Sequence, residues 1–350
     1  MKYSRLGSSG LNVSRVCLGS MTWGIQNTQA QADQQIEYAL SQGVNFIDTA
    51  EMYPVPPNQH TQGDTERILG NWISRNPQKR EDIILASKIT GPGISYIRKG
   101  NGIDGKSIVQ SVDASLKRLQ TDYIDLYQLH WPNRTSPHFG RHLPNKVRFS
   151  DVDPEYEINS MLEILMALDE CIKAGKIRHC GLSDDTTWGI HQYLKLAETH
   201  SLPKMVSIQN EFNLLHSKDW PYLIEHCCHE DIAFLPWSPL SGGMLSGKYL
   251  DGKRPAGSRW TYEQRMGLFR DTPNSEQAIR GYIKVAEKHN ITPCQLALMW
   301  CDNVDGITST IIGATTMAQL EENIAAFKLP YSETLARDIN QVLKQHIATF

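Results

Sequence analysis

Three charged or ionisable residues each close an apolar run. Asp48 ends Val44-Asn45-Phe46-Ile47-Asp48, Lys88 ends Ile83-Ile84-Leu85-Ala86-Ser87-Lys88, and His130 ends Ile124-Asp125-Leu126-Tyr127-Gln128-Leu129-His130. Tyr53 follows Asp48 in the next loop. A strand that ends in a charge carries a desolvation cost unless the charge is paired, so Asp48 and Lys88 are natural partners. A lysine beside Tyr53 is expected to lower the phenol pKa from about 10 towards working pH. A phenol tuned in this way can hand a proton to a carbonyl oxygen as negative charge develops there. The expected chemistry is proton donation, from one mouth where neighbouring strands end.

Such convergence needs a parallel arrangement. Short β-type runs begin near Val16, Val44, Ile83, Ile124, Ile177, Val206, Ala233 and Ser309. Helical periodicity lies between them, as in Ile108, Val112, Ser115, Leu116 and Leu119, or Leu162, Leu165, Leu168 and Ile172. Eight strands, each followed by a helix, predict an α/β fold of the (β/α)8 TIM barrel type. No Pro/Gly-rich linker divides the chain, so residues 1–350 are expected to form one barrel domain. Tyr3 to Val13, around Gly7-Ser8-Ser9-Gly10, reads as an N-terminal β-hairpin. Long loops are expected after strand 4 (Trp131 to Glu157) and strand 7 (Ser238 to Thr272), and an extra C-terminal helix from Ser332. Both loops follow strands, which puts them on the C-terminal face where such barrels keep their chemistry. The first carries Trp131, Phe139, Phe149, Arg134, Arg141, Lys146 and Arg148, and is expected to be a substrate lid or wall.

Composition excludes several other roles. Lys and Arg total 35 and Asp and Glu 38, a net charge of −3, without the basic excess that nucleic-acid binding needs. The longest stretch free of Asp, Glu, Lys and Arg, Val16 to Ala32, is too polar to span a bilayer. The N-terminal residues lack the apolar core of a signal peptide. Seven cysteines without a CxxC pair read as buried free thiols in a reducing compartment, and a cytoplasmic location is expected.

The run Gly43-Val44-Asn45-Phe46-Ile47-Asp48-Thr49-Ala50-Glu51-Met52-Tyr53, with Lys88 and His130 at the matching strand ends, resembles the aldo-keto reductase superfamily along essentially the whole chain. Tyr53-Pro54-Val55-Pro56-Pro57, the Ser115–Asp125 segment and the Trp237-Ser238-Pro239-Leu240 turn resemble the branch that holds bacterial Tas-like reductases and potassium-channel β subunits. The resemblance implies that Tyr53 is the general acid, Lys88 lowers its pKa, Asp48 supports Lys88, and His130 orients and polarises a substrate carbonyl. The tetrad supplies a proton but no hydride, so a nicotinamide cofactor, NADP(H), is implied. By the same resemblance Thr22 and Trp23 after the first strand, Asp48, and Ser183 and Asp184 after the fifth are cofactor-binding positions, and Gln209 bonds the nicotinamide carboxamide. Trp237, Ser238, Pro239, Leu240, Gly242 and Lys248 cradle the pyrophosphate, and Arg259 contacts the cofactor. Gly313, Thr315, Gln319, Glu322 and Asn323 surround the adenosine. Independently of the resemblance, Gly313-Ala314-Thr315-Thr316 opens a helix whose free N–H groups favour phosphate, and Lys248 and Arg259 add cationic donors. The partner expected is a small-molecule carbonyl compound, with no nucleic acid, no membrane and no metal; substrate identity and oligomeric state are not legible.

Three motifs are set aside. Gly100-Asn101-Gly102-Ile103-Asp104-Gly105 matches GxGxxG but begins about a dozen residues past its strand, whereas a dinucleotide fingerprint starts at the strand end. In His226-Cys227-Cys228-His229, adjacent helical residues face different ways, and Leu223, Ile224, Cys227 and Cys228 read as the buried stripe. Asn12-Val13-Ser14 and Asn133-Arg134-Thr135 match the glycosylation pattern without a secretory signal. One departure stands out: Ser183-Asp184 replaces the Ser-Asn of many family members, and an ionised aspartate accepts hydrogen bonds but cannot donate them. Two other readings remain open. One is a cofactor-binding scaffold like the channel β subunits, which carry asparagine where His130 stands. The other is Schiff-base chemistry at Lys88.

Overall fold

Short apolar runs alternating with amphipathic segments close into a parallel barrel, because each strand needs a helix to cover its outer face. The computed structural model describes residues 1–262, 267–347 and 349–350. Strands β1 (Tyr3–Arg5) and β2 (Asn12–Ser14) form the antiparallel hairpin. The barrel strands are β3 (Val16–Gly19), β4 (Phe46–Asp48), β5 (Ile84–Ile89), β6 (Ile124–Leu129), β7 (Ile177–Ser183), β8 (Met205–Glu211), β9 (Ala233–Trp237) and β10 (Thr310–Ile312). They pair in parallel in that order, with β10 beside β3. A bridge between Phe234 and Ile307, with Thr308 N–H donating to Phe234 O at 3.0 Å, brings β9 to the β10 side and closes the ring.

Around the strands lie α1 (Gln29–Ser41), α2 (Asp64–Arg75), α3 (Gly105–Leu119), α4 (Pro154–Lys173), α5 (Thr187–His200), α6 (Tyr222–His229), α7 (Pro273–Lys288), α8 (Pro293–Asn303), α9 (Met317–Ala326) and α10 (Glu333–Gln345). Several boundaries differ from expectation for local reasons. The second strand starts at Phe46, not Val44, because the Asn45 side chain is occupied with the hairpin: its Oδ1 accepts from Ser14 N–H at 2.7 Å and its Nδ2 donates to Asn12 O at 2.9 Å. The loop after β6 ends before Glu157, since Asp153 caps a helix whose first residue is Pro154, where a missing N–H costs nothing. Two helices follow β9 rather than one; α7 is the additional one, capped by Thr272 and packed on the C-terminal α10, where Gly281 faces Val342. Asp104 caps α3, so the GxGxxG segment is a helix-entry turn well past β5. On α6 the buried stripe is Leu223, Ile224 and Cys227, whereas Cys228 is exposed. With Cys294 half-buried as well, the expectation of uniformly buried thiols is corrected, although all seven are free.

The hairpin decides which end of the barrel is open. Leu6 and Val13 insert among Cys17, Phe46, Ala86, Leu126, Val206, Ala233, Leu235 and Ile311, the inward-facing core. Gly7 sits at φ +51° against the strand starts, and a Cβ there would lie 2.3 Å from Val206 O. Gly7→Ala is therefore expected to destabilise the fold by about 1–3 kcal/mol through overpacking and left-handed strain, read as a lower urea midpoint. No residue of the opposite mouth is touched, so any ligand affinity measured there should stay unchanged.

Among the described residues no helix is long and apolar enough to cross a membrane.

Candidate active site

Parallel register brings the strand-end residues together. Gly19 aligns with Asp48, and Lys88 with Gln128, while Ser183 aligns with Gln209. Lys88 is fully buried; its ammonium donates to Asp48 Oδ2 at 2.5 Å and to Thr49 O at 2.8 Å. Asp48 Oδ1 accepts from Gln209 Nε2 at 2.9 Å and from Gln128 Nε2 at 3.3 Å. A buried carboxylate with this many donors has its hydrogen-bonding capacity met. Burial works against the Lys88 charge, yet Asp48 outweighs it and the lysine pKa is raised, so the cation persists at working pH.

Tyr53 lies over this pair, its ring centre 5.1 Å from Lys88 Nζ, and its ring meets that of His130 edge-on at 5.6 Å. Burial raises the phenol pKa above its usual value, and the Lys88 charge only partly offsets that rise. The expectation of a net lowering is thus corrected: desolvation wins, and the phenol stays protonated at neutral pH. Burial, followed by the Lys88 charge, drives the His130 pKa well below 6.5, so the imidazole is neutral. Among the described residues His130 Nδ1 is buried without a partner. The loop that carries Tyr53 is itself fastened. Glu51 accepts from Thr90 N–H at 2.8 Å, Arg98 Nη1 at 2.7 Å and Ser111 Oγ at 3.0 Å.

An aromatic wall rises from His130. Its ring lies 5.0 Å from Trp131, Trp131 meets Phe139 at 6.3 Å, and Phe139 stacks on Trp237 at 6.0 Å. The expected lid segment therefore does border the mouth. Its root is pinned by Arg134, which pairs with Asp185, and by His138, which lies 3.6 Å from Asp184 Oδ1. Asp184 accepts from Trp237 Nε1 at 3.1 Å. It does not cap α5, whose cap is Thr186. Burial pushes the Asp184 carboxyl well above the usual carboxylate range.

Beyond Trp237 the chain turns through Ser238 (φ +51°), Pro239, Leu240 and Ser241 (φ +50°) into Gly242 and Gly243, also at positive φ. A Cβ on Gly242 would lie 3.8 Å from Arg259 Nη1, and one on Gly243 would lie 2.9 Å from Lys248 Nζ. Bare backbone thus faces two cations, with Ser241 Oγ and Ser258 Oγ nearby in sequence, buried and unpartnered among the described residues. That donor set fits an anionic pyrophosphate. Burial, then Arg270, brings the Arg259 pKa down to about 10, which leaves it cationic. Gly313 is open, and Thr316 caps α9 directly after β10. Thr315 N–H and hydroxyl both donate to Gln319 Oε1, Asn323 Nδ2 donates to Gly313 O at 3.2 Å, and Glu322 accepts from Thr292 at 2.6 Å. Gln319 and Asn323 therefore shape this turn through protein contacts.

One expected residue lies elsewhere. Trp23 is fully buried in the layer between strands and helices, its indole donating to Gln35 at 2.8 Å, so its side chain does not reach the mouth. Thr22, by contrast, is half-buried and bonded to Asn27. Other groups were passed over. Glu211 and Arg270 form a buried two-point ion pair, at 2.7 and 2.6 Å, beside Trp237. Gln128 was visible as the one amide in an apolar strand, two residues before His130 and so on the same face.

A family model described as the aldo/keto reductase family matches residues 15–344. The protein named Tas of Escherichia coli (strain K12) is 42% identical over 345 residues, which is 98% of this chain and 97% of that protein. The oxidoreductase named YrpG of Bacillus subtilis (strain 168) is 29% identical over 98% of this chain and 96% of its own. An Arabidopsis thaliana protein named as a probable voltage-gated potassium channel subunit beta is 30% identical over 93% of this chain and 91% of its own.

Proposed function

The chain belongs to the aldo/keto reductase family and is an oxidoreductase, and from that premise we propose that it reduces aldehydes or ketones with NADPH, as a single cytoplasmic barrel domain. The observation that carries this reading is the buried Asp48–Lys88 pair beneath a protonated Tyr53 and a neutral His130, all at the one open end of the barrel. The nicotinamide cofactor supplies the hydride when bound. Tyr53 Oη donates its proton to the carbonyl oxygen, and Lys88 stabilises the phenolate left behind. His130, being neutral, orients the same oxygen by a hydrogen bond without competing for the proton. Trp131, Phe139 and Trp237 supply apolar surface that keeps water from the reacting carbonyl. An assay of NADPH oxidation against aldehydes, ketones and quinones tests the proposal; no turnover with any carbonyl would refute it.

The scaffold reading loses ground to the complete tetrad, His130 included. Schiff-base chemistry needs a neutral, accessible amine, whereas Lys88 is fully buried as a cation on Asp48.

NADPH is expected to be preferred over NADH. A charged hydrogen bond contributes about 1.5–3 kcal/mol, so Arg259→Ala should weaken NADPH binding roughly tenfold to a hundredfold while sparing NADH, if this guanidinium reads the 2′-phosphate. Equal losses for both cofactors in fluorescence titrations would assign it to the shared pyrophosphate instead. Asp184 is expected to favour the oxidised cofactor, whose ring is positive. Its carboxylate would contribute about 1 kcal/mol net, several-fold in relative affinity, once solvent screening is subtracted. Because its pKa is raised, that preference should grow as pH rises and the carboxyl ionises. Asp184→Asn should weaken NADP⁺ binding more than NADPH binding; an unchanged ratio of the two affinities at high pH would refute the role.

A further inference from the structure

Gln128 has no role in the proton transfer just described, yet it lies against Asp48 and in register with Lys88, fully buried on β6. Its two amide atoms are both committed. Nε2 donates to Asp48 Oδ1 at 3.3 Å, and Oε1 accepts from Gln209 Nε2 at 3.3 Å. Gln209 Nε2 also donates to Asp48 Oδ1 at 2.9 Å. Both N–H groups of the Gln209 amide therefore point down, towards Asp48 and Gln128. Its Oε1 meets no protein donor among the described residues, which leaves it able to accept from a ligand.

An isolated glutamine amide can flip at little cost, since its oxygen and nitrogen ends have the same shape. Asp48 engages one Gln209 N–H and by itself would leave the other free to turn towards a ligand. Gln128 adds a second acceptor on that side, and its own N–H donated to Asp48 prevents it from turning over. Were Gln128 reversed, its NH2 would face the Gln209 NH2 and its oxygen would face a carboxylate, leaving two unfavourable contacts in a buried site.

We propose that Gln128 is a positioning residue that locks the Gln209 amide with its oxygen towards the mouth, so that the site reads the amino group of the nicotinamide carboxamide rather than its carbonyl. This rests on the assignment of a nicotinamide cofactor to this mouth. It also joins the cofactor end to the proton-donor end, because Asp48 accepts from both glutamines through one oxygen and holds Lys88 with the other.

The test compares equilibrium binding of NADP⁺ and of its 3-acetylpyridine analogue, in which a methyl group replaces the carboxamide NH2. Both are titrated by quenching of tryptophan fluorescence, with no turnover involved. The wild type is expected to favour NADP⁺ by about threefold to tenfold, the range one neutral hydrogen bond carries. In Gln128→Met, close in length and unable to hold the amide, that ratio should fall towards one, because the Gln209 N–H released from Gln128 can turn towards the carbonyl that both ligands share while the other N–H stays on Asp48. A purely structural role would weaken both ligands equally and leave the ratio intact, which overturns the proposal. Gln128→Asn serves if the methionine variant does not fold: one methylene shorter, it loses both 3.3 Å contacts and should show the same collapse of the ratio. A wild type that binds both ligands equally also overturns the proposal, with the cofactor assignment standing. A wild type that binds neither, and oxidises no NADPH, overturns that assignment as well.

Discussion

Tyr53→Phe is expected to lower kcat for carbonyl reduction by about 10²–10⁴-fold, the span attributed to a positioned general acid, while NADPH affinity stays nearly unchanged. The hydroxyl is the atom lost, and the ring keeps its edge-on contact with His130 and its place over Lys88. Since the hydroxyl serves the transition state, both kcat and kcat/KM should fall while cofactor binding holds. The pH profile supplies an independent check. Reduction by the wild type needs the protonated phenol, so activity should hold across neutral pH and decline only as alkaline pH passes the raised Tyr53 pKa. His130, with its pKa well below 6.5, should add no limb near neutrality. In Tyr53→Phe the alkaline limb should vanish together with most of the rate. A phenylalanine variant that keeps wild-type kcat would remove Tyr53 from the acid role.

Lys88→Met should be severe twice over. Removing one partner of a buried ion pair costs about 3–5 kcal/mol, because Asp48 is left charged and buried with only neutral donors. The urea midpoint should fall accordingly. The rate should fall too, since the phenolate formed on Tyr53 loses the cation that stabilises it. The direction on the pH axis is fixed by that loss. Lys88 opposes the upward push of burial on the Tyr53 pKa, so without it the pKa rises further. The alkaline limb of reduction, and the rise of alcohol oxidation that needs the phenolate, should both move to higher pH. Combining Lys88→Met with Asp48→Asn removes the orphaned charge and should restore much of the stability without restoring kcat. Recovery of both together would reduce the pair to a structural role.

Much of this architecture was legible along the chain, because it is written in local periodicity. Short apolar runs alternate clearly with segments of helical period, and parallel strands joined by helices put all strand ends at one face. Asp48, Lys88 and His130 had to meet once their strands were neighbours. Gly242, Lys248 and Arg259 were likewise visible as a glycine and two basic residues of one loop. Where prediction failed, the cause was a partner distant in sequence. Asn45 left the strand because Asn12 and Ser14 engage it. Trp23 turned into the helix layer towards Gln35. Glu211 and Arg270 are 59 positions apart, and nothing local links them.

The order of strands, the convergence of Asp48, Lys88 and His130 at one end of the barrel and the family were thus determined by the amino-acid sequence alone, since each depends on residue type and spacing. The balance of charge inside the mouth was decided by tertiary structure. Desolvation acts on a group in proportion to what surrounds it on every side, and that surrounding is assembled from strands far apart in the chain. It reversed the expected direction for Tyr53, holds His130 neutral, raises Asp184, and gives a plain strand glutamine, Gln128, two partners that orient its neighbour.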